Sequence, residues 1–303
     1  MYGRVVDDIV EKPYGHLFTQ EEDHGFRSFS LDSPIVQAAA GREHSLFLTE
    51  DGRVWSLGLD ELCLGRSDGH VLSEITDFRE AEVNVTSLGA GDGMSVVLTE
   101  EGDVISWGQG KDGRLGHGNN QDMSHPSSME FFEELSAKQI GVGNNFGMAL
   151  VEGGRVFAWG KNEQGQLGQG GGLLMDMHNI ETLPVEVDFD DKPIKKISCG
   201  YDTAGAIDED GVAYFWGGKD NLSPLAIELE NPAEKAVDIF AGSRFAIIAS
   251  DAGHLYSVGR GKTGSLGLGD QSTQKVGKLI SFFEGMAVNK VVCGPEQVAA
   301  IAN

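Results

Sequence analysis

Apolar residues in this chain come in short runs separated by glycine-bearing polar turns, and the same arrangement recurs along its length. In AAAGREHSLFLTEDGRVWSLG, residues 38–58, two β-prone stretches flank Thr49-Glu50-Asp51-Gly52, the pattern of a β-hairpin. It returns as SVVLTEEGDVISWG, GMALVEGGRVFAWG, GAIDEDGVAYFWG and IIASDAGHLYSVG, always with a glycine in the turn. Primed hairpin turns demand positive φ, which costs a residue with a Cβ roughly 1–2 kcal/mol, so glycine is expected there.

The register can be laid out on three glycine columns. Anchors stand at Gly41, Gly91, Gly143, Gly200 and Gly242; turn glycines follow at Gly52, Gly102, Gly154, Gly211 and Gly253; third glycines follow at Gly58, Gly108, Gly160, Gly217 and Gly259. Three of the last group follow a tryptophan, as Trp107-Gly108, Trp159-Gly160 and Trp216-Gly217. An apolar stretch precedes each anchor, and a loop ending in GxLG, clearest at Gly113–Gly116, Gly165–Gly168 and Gly264–Gly267, leads to one more extended segment. Four short antiparallel strands per period of 42 to 57 residues predict the blades of a β-propeller.

The ends bear on closure. Gly294 is a sixth anchor, but the chain stops before its turn glycine is due, while Tyr2-Gly3 resembles the Trp-Gly pairs. Gly3 lies 38 residues before Gly41, against 33, 35, 40, 25 and 35 from third glycine to next anchor elsewhere. The expectation is an all-β chain, 1–303, forming a single closed propeller of six four-stranded blades, one of them shared by the N- and C-termini. That closure leaves no sheet edge to pair with another chain. Seven blades stay open, because residues 14–31 have a hairpin character of their own.

Composition narrows the functional classes. The 303 residues carry 23 basic and 47 acidic side chains, a formal charge of −24, which repels nucleic acid and anionic membranes. No apolar run approaches the roughly 18 residues of a membrane span, and the start has acidic residues where a signal peptide needs a basic end. A soluble chain of the cytoplasm is expected, with the nucleus left open. The three cysteines have neither disulfide arithmetic nor zinc spacing; Cys199 and Cys293, each next to an anchor, read as small core residues.

On these residues the chain resembles the regulator of chromosome condensation repeat family, whose units carry AxGxxHSLxLTxxGxVYxWGxNxxGQLGxG. GRVFAWGKNEQGQLGQG, from Gly154 to Gly170, is close to that motif, and GREHSLFLTEDGRVWSLG, from Gly41 to Gly58, matches its earlier half. The resemblance covers essentially the whole chain and implies a propeller, usually of seven blades with one closed by both termini. It does not fix a function: the family includes an exchange factor for the Ran GTPase, an ultraviolet-B photoreceptor, scaffolding modules of ubiquitin ligases and kinases, and small adaptors. The photoreceptor's GWRHT motifs have no counterpart among GREHS, GDGMS, GNNFG, GYDTA and GSRFA. The Ran exchange factor, which is bound to chromatin, carries a basic N-terminal arm, and this sequence starts instead with a strand-like stretch.

Most tempting motifs fall into repeat columns. Gly259-Arg260-Gly261-Lys262-Thr263 looks like a phosphate loop, yet Tyr256 stands where its first glycine is required and Lys262 shares a column with Lys111. His44-Ser45 reads as scaffold, His44 bonding neighbouring backbone between blades, rather than as a nucleophile and base. Asp188, Asp190 and Asp191 lack the glycine and closing glutamate of a calcium loop and read as solvated. The histidines lack ligand spacing, so neither metal nor cofactor is expected. Phe131-Phe132 belongs to an ordinary fourth strand spanning Met123–Leu135.

The repeat fails most between Gly168 and Pro193. There Leu173, Leu174, Met175, Asp176, Met177 and His178 place large apolar residues in a loop, a candidate partner-binding patch. The expected function is a non-catalytic adaptor, monomeric or in a hetero-complex, binding a protein with a basic contact surface. The alternative is a guanine-nucleotide exchange factor for a Ran-like or Rab-like small GTPase, with the same loop as its wedge.

Overall fold

In this computed structural model, residues 31–67, 69–170 and 179–303 are described. Five four-stranded antiparallel sheets follow one another in the predicted order. Blade A holds β1 (Ile35–Ala40), β2 (His44–Thr49), β3 (Val54–Gly58) and the two-residue β4 (Ser73–Glu74). Blade B holds β5 (Val85–Ala90), β6 (Met94–Thr99), β7 (Val104–Gly108) and β8 (Met123–Ser128), and blade C β9 (Ala137–Val142), β10 (Phe146–Val151), β11 (Val156–Lys161) and β12 (Ile180–Glu186). Blade D comprises β13 (Ile194–Cys199), β14 (Thr203–Asp208), β15 (Ala213–Gly217) and β16 (Asn221–Ile227). Blade E comprises β17 (Ala236–Ala241), β18 (Phe245–Ser250), β19 (Leu255–Gly259) and β20 (Gln274–Leu279). A sixth sheet has two strands, β21 (Val288–Cys293) and β22 (Val298–Ala302).

The all-β architecture of repeated blades is therefore observed, and the sixth blade is partial among the described residues. Tyr2-Gly3 and residues 14–30 of the hairpin-like stretch lie outside them. At the first and fourth positions of each inner strand a side chain packs toward the preceding blade: Val85 and Leu88, Ala137 and Ile140, Ile194 and Ile197, Ala236 and Ile239 are all buried. In β1 the same positions are the half-buried Ile35 and the exposed Ala38.

The hairpin turns are a different type from the one expected. Gly52 donates its N–H to Thr49 O at 2.9 Å, and only the glycine has positive φ, +78°. A primed turn needs positive φ at the first central residue, and Glu50 lacks it, as does Asp51; this is a type I turn closed by a left-handed glycine, while in the third blade the central Gly153 is left-handed as well as Gly154. The glycine requirement was right and its position in the turn was not.

Blades lock together through the tryptophans. Trp107 Nε1 donates to Cys63 O at 2.8 Å, Trp159 Nε1 to Arg114 O at 2.9 Å and Trp216 Nε1 to Gln166 O at 3.0 Å, each time into the loop of the preceding blade. All three indoles are fully buried. The Leu-Gly that ends each loop makes the socket: a Cβ at Gly65, Gly116 or Gly168 would stand 2.8, 3.0 and 2.9 Å from the incoming indole. Each of these glycines also has φ near +70°, so two independent reasons exclude a side chain. An aromatic from the segment after the outer strand closes the floor, with Phe78, Phe132 and Phe189 at 5.9, 5.8 and 5.6 Å from their tryptophans. Phe131 and Phe132 thus sit beyond β8, which ends at Ser128, and serve the core between blades B and C rather than a strand.

Inner strands are stapled by amides. Gln37 donates to Leu88 O at 3.0 Å and accepts from Leu88 N at 3.0 Å, and Gln139 does the same with Ile197 at 2.9 and 3.0 Å. One primary amide thereby satisfies both backbone groups of a residue on the adjacent inner strand. In the next pair, Lys196 Nζ and Asp238 Oδ2, 2.5 Å apart, occupy the same column.

Candidate functional site: two unlike faces

Because each blade runs up and down, inner-hairpin turns and the long loops before the outer strands emerge on one face. The glycine hairpin turns and the blade-to-blade connections emerge on the other. Around the first face the inner turns form a chain of backbone bonds: Asp92 N donates to Asn144 O at 2.6 Å, Asn144 N to Tyr201 O at 2.9 Å and Ser243 N to Pro295 O at 3.0 Å.

His44 belongs to this framework. Its Nε2 lies 2.9 Å from Ser95 Oγ, which in turn donates to Cys63 O at 3.0 Å. The hydroxyl proton is thus committed to the carbonyl, so Nε2–H is the donor to Ser95 and Nδ1 is left buried without a partner. Burial holds the His44 pKa down to about 4, against weaker opposing pulls from Asp60, the Met94 backbone and Asp92. The inter-blade role expected for His44 is present: it meets the Ser95 hydroxyl and the Met94 backbone of the next blade, and Ser45 takes no part.

The stretch Gly259–Thr263 leads from β19 into turns with no helix, so it offers no helix N-terminus to a phosphate. Asp188, Asp190 and Asp191 are exposed in the connection after β12, with Asp190 N bonded to Asp188 Oδ1 at 2.9 Å. Among the described residues no group of three His, Cys, Asp or Glu side chains is placed to hold a metal ion. Cys63 is fully buried; Cys199 and Cys293 are half-buried on inner strands, Cys293 Sγ lying 3.3 Å from Phe240 O of the neighbouring blade. Burial raises all three thiols, Cys293 to about 12, which leaves them inert as nucleophiles at neutral pH. Leu173, Leu174, Met175, Asp176, Met177 and His178 lie outside the described residues, between β11 and β12.

What separates the two faces is charge. On the first, Arg42, Lys111, Lys219, Arg244, Arg260 and Lys262, with Arg66 and Arg114 buried beneath them, are interspersed with Glu43, Asp60, Glu61, Asp92, Asp112, Asp122, Glu163, Asp202, Asp220, Asp270 and Glu296. On the second, the hairpin turns expose Glu50, Asp51, Glu100, Glu101, Glu152, Glu209, Asp210 and Asp251. The connections there expose Glu80, Glu82, Glu130, Glu133, Glu134, Asp188, Asp190, Asp191, Glu228, Glu230 and Glu284. Its cations are few and mostly engaged: Arg53 with Asp51 at 2.7 Å, Arg79 with Glu74 at 3.2 Å, Arg155 with Glu186 at 2.6 Å, Lys278 with Glu230 at 2.8 Å and Lys138 with Glu152 at 3.9 Å, with Lys192 and Lys235 beside them. Most of its carboxylates therefore lack a cation, and the negative potential of the chain gathers on this face. A hollow of about 500 Å³ opens there, lined by Gly154, Glu186, Asp188, Asp191 and Lys192.

One carboxylate on this side is structural. Glu234 feels burial pushing its pKa up, but hydrogen bonds from Ser250, His254, Asn231 and Tyr256 outweigh it and hold the acid at about 2.

The architecture is that of a β-propeller presenting two chemically distinct faces. The RCC1-like domain model matches residues 14–303, and the chain belongs to that family. It is similar to the human E3 ubiquitin-protein ligase HERC2, 27% identical over 282 residues, covering 88% of this chain and 6% of that protein. It is also similar to the ultraviolet-B receptor UVR8 of Arabidopsis thaliana, 31% identical over 252 residues, 78% of this chain and 56% of the receptor. The chain thus spans a small part of the first and little more than half of the second. Among solved structures it superposes on human WBSCR16 with a TM-score of 0.78 at 24% identity, over 91% of this chain and 75% of that one. Yeast RCC1 (Prp20), solved bound to Kap60, gives 0.74 at 25% identity over 89% and 68%.

Proposed function

We propose that this chain is a non-catalytic adaptor whose hairpin-turn face docks a protein with a basic contact surface. The observation that carries the reading is the one-sided surplus of unpaired carboxylates on a row of packed blades. Such a surface raises the encounter rate with a basic partner and rejects acidic ones. RCC1-like propellers act as protein-interaction or regulatory proteins, some of them exchange factors, which places the proposal within the family's range. We further propose that the ring closes with six blades, the sixth shared between β21–β22 and the first residues of the chain. The uncovered first and fourth positions of β1, and the two-strand sheet at the other end, support it. Residence in the cytoplasm, with the nucleus also open to it, completes the reading.

Affinity capture from cell extract with the wild-type chain, followed by association kinetics with the captured partner, tests the docking face. Replacing Glu133, Glu134, Glu209 and Asp210 by lysine is expected to slow association by about tenfold at low salt, with the dissociation rate nearly unchanged. Raising salt should narrow the gap between variant and wild type. Equal association rates at low salt would sink the acidic-face proposal.

A second reading has one observation in its favour, the likeness to yeast RCC1, a relative of which one study describes binding properties to Gsp1p and histones. On that reading the chain accelerates nucleotide release from a small GTPase, using the segment Leu173–His178 as its wedge. Fluorescent GDP release from a panel of Ran-like and Rab-like GTPases decides it. Acceleration at micromolar chain that Leu174→Asp with Met175→Asp abolishes would replace the adaptor reading, and no acceleration disposes of the exchange one.

A further inference from the structure

The outer strands β8, β12 and β16 carry a proline at one column. Ser127, Val185 and Leu225 pair with the residues before Trp107, Trp159 and Trp216, and Pro126, Pro184 and Pro224 come just ahead of them. In blade E the pair is Ser257 with Lys278, and the residue ahead is Gly277. A proline at such an edge offers no N–H to an incoming strand. Blades C and D have a second cover, the loop of the preceding blade: Gly118 N donates to Thr182 O and Gly170 N to Leu222 O, both at 2.8 Å. Blade D has no loop of that kind, only Gly218-Lys219-Asp220 between β15 and β16.

The edge of blade E is closed instead by the connection that arrives from blade D. Gly277 N donates to Glu228 O and Glu230 N to Gly277 O, both at 2.8 Å, so residues 228–230 run parallel to β20 as a short strap. The Glu230 carboxylate accepts from Leu279 N at 3.2 Å and from Lys278 Nζ at 2.8 Å. Leu229 packs against the core between blades D and E, and a Cβ at Gly277 would stand 2.8 Å from its Cδ2. The glycine therefore admits the strap, and the strap takes up the Gly277 N–H, the Gly277 C=O and the Leu279 N–H. The far end of the connection is pinned to the same blade, Glu234 Oε1 lying 2.9 Å from His254 Nδ1.

We propose that the outer edge of blade E is a strand-pairing surface held shut by Glu228–Glu230, and that with the strap released it pairs with the same edge of a second copy of this chain. A second copy fits because the edge is self-complementary. In an antiparallel pair centred on Gly277 the two glycines exchange both backbone bonds, with no side chain between them. Val276 then faces Lys278 and Lys275 faces Leu279, so no two lysines stand directly opposite. Such a contact is isologous and stops at two copies. The strap thus does for blade E what a proline does for blades B, C and D, but by a contact that can be undone. The inference stands whether or not the acidic face docks a partner.

The test uses the full chain. Leu229→Ser with Glu230→Pro removes the apolar seat, the donor to Gly277 O and the carboxylate together. Light scattering over a concentration series should give the wild type a constant mass and the double variant a mass that rises towards about twice that value. Hydrogen exchange of the Gly277 and Leu279 amides should be slow in the wild type, at least about tenfold faster in the dilute variant, and slow again where the variant is dimeric. Adding Gly277→Pro to the double variant installs the guard of the other blades and should return the wild-type mass. A double variant with exposed amides and the wild-type mass at every concentration would overturn the pairing surface. A dimer that Gly277→Pro leaves intact would place the association elsewhere and overturn it too. Amides that stay protected without any change in mass would show that Leu229 and Glu230 do not hold the strap, which overturns the guard. Circular dichroism checks the fold, and if the double variant unfolds, Glu230→Pro alone is put to the same readings.

Discussion

Trp159→Ala is expected to cost roughly 3–5 kcal/mol of unfolding free energy, the largest single loss available in this fold. The indole is fully buried between blades B and C, stacks edge-on against Phe132 at 5.8 Å and donates to Arg114 O at 2.9 Å. Truncation empties a socket whose walls cannot approach each other, because each is the edge of a separate, internally bonded sheet. It also leaves a buried carbonyl without its donor. Trp159→Phe separates the two contributions: it keeps most of the packing and loses the N–H, for about 1–3 kcal/mol. Denaturant unfolding of both variants and the wild type is the measurement. If Trp159→Ala costs no more than Trp159→Phe, the packing term is absent and the socket must collapse when emptied.

The socket also shows what the sequence could and could not convey. The Trp-Gly pairs and the GxLG loops were both legible as repeat columns, because each is short, local and set by backbone geometry. Their relation was not, since Trp159 meets Arg114 across 45 residues and two blades, and a period alone does not say which copy touches which. The Gln37 and Gln139 staples were hidden for a different reason. The same column holds Ser87, Lys196 and Asp238 in other blades, so it has no common residue type to notice. Charge polarity was within reach: acidic residues follow the second strand in copy after copy, as in TED, TEE, VEG and DED. Reading it requires assigning alternate connections to opposite faces, a step that net charge alone does not prompt. The turn type was missed because the glycine, rather than the dipeptide before it, carries the left-handed conformation.

His44→Met is expected to leave stability near neutral pH little changed and to make the chain more stable than wild type in mild acid. The column itself supports the substitution, since Met94, Phe146 and Phe245 occupy the same position in other blades. The buried imidazole has its pKa lowered from 6.5 to about 4, burial being the main cause. Above pH 6.5 the residue is neutral folded or unfolded and contributes no pH dependence. Between pH 6.5 and 4 the unfolded chain binds a proton that the folded one refuses, so stability falls as pH drops. Below pH 4 both states are protonated and the loss is complete, at roughly 3 kcal/mol. His117, also lowered chiefly by burial, adds a loss of the same sign that the variant retains. Carboxylate titration, Glu234 included, is common to both proteins and cancels in the difference. Urea unfolding at pH 7.5 and pH 5.0 should show the wild type losing about 2 kcal/mol more than His44→Met between those two conditions. Parallel losses in the two proteins would mean that His44 accepts a proton without breaking its contact to Ser95, which the unpartnered Nδ1 and the closed packing around it argue against.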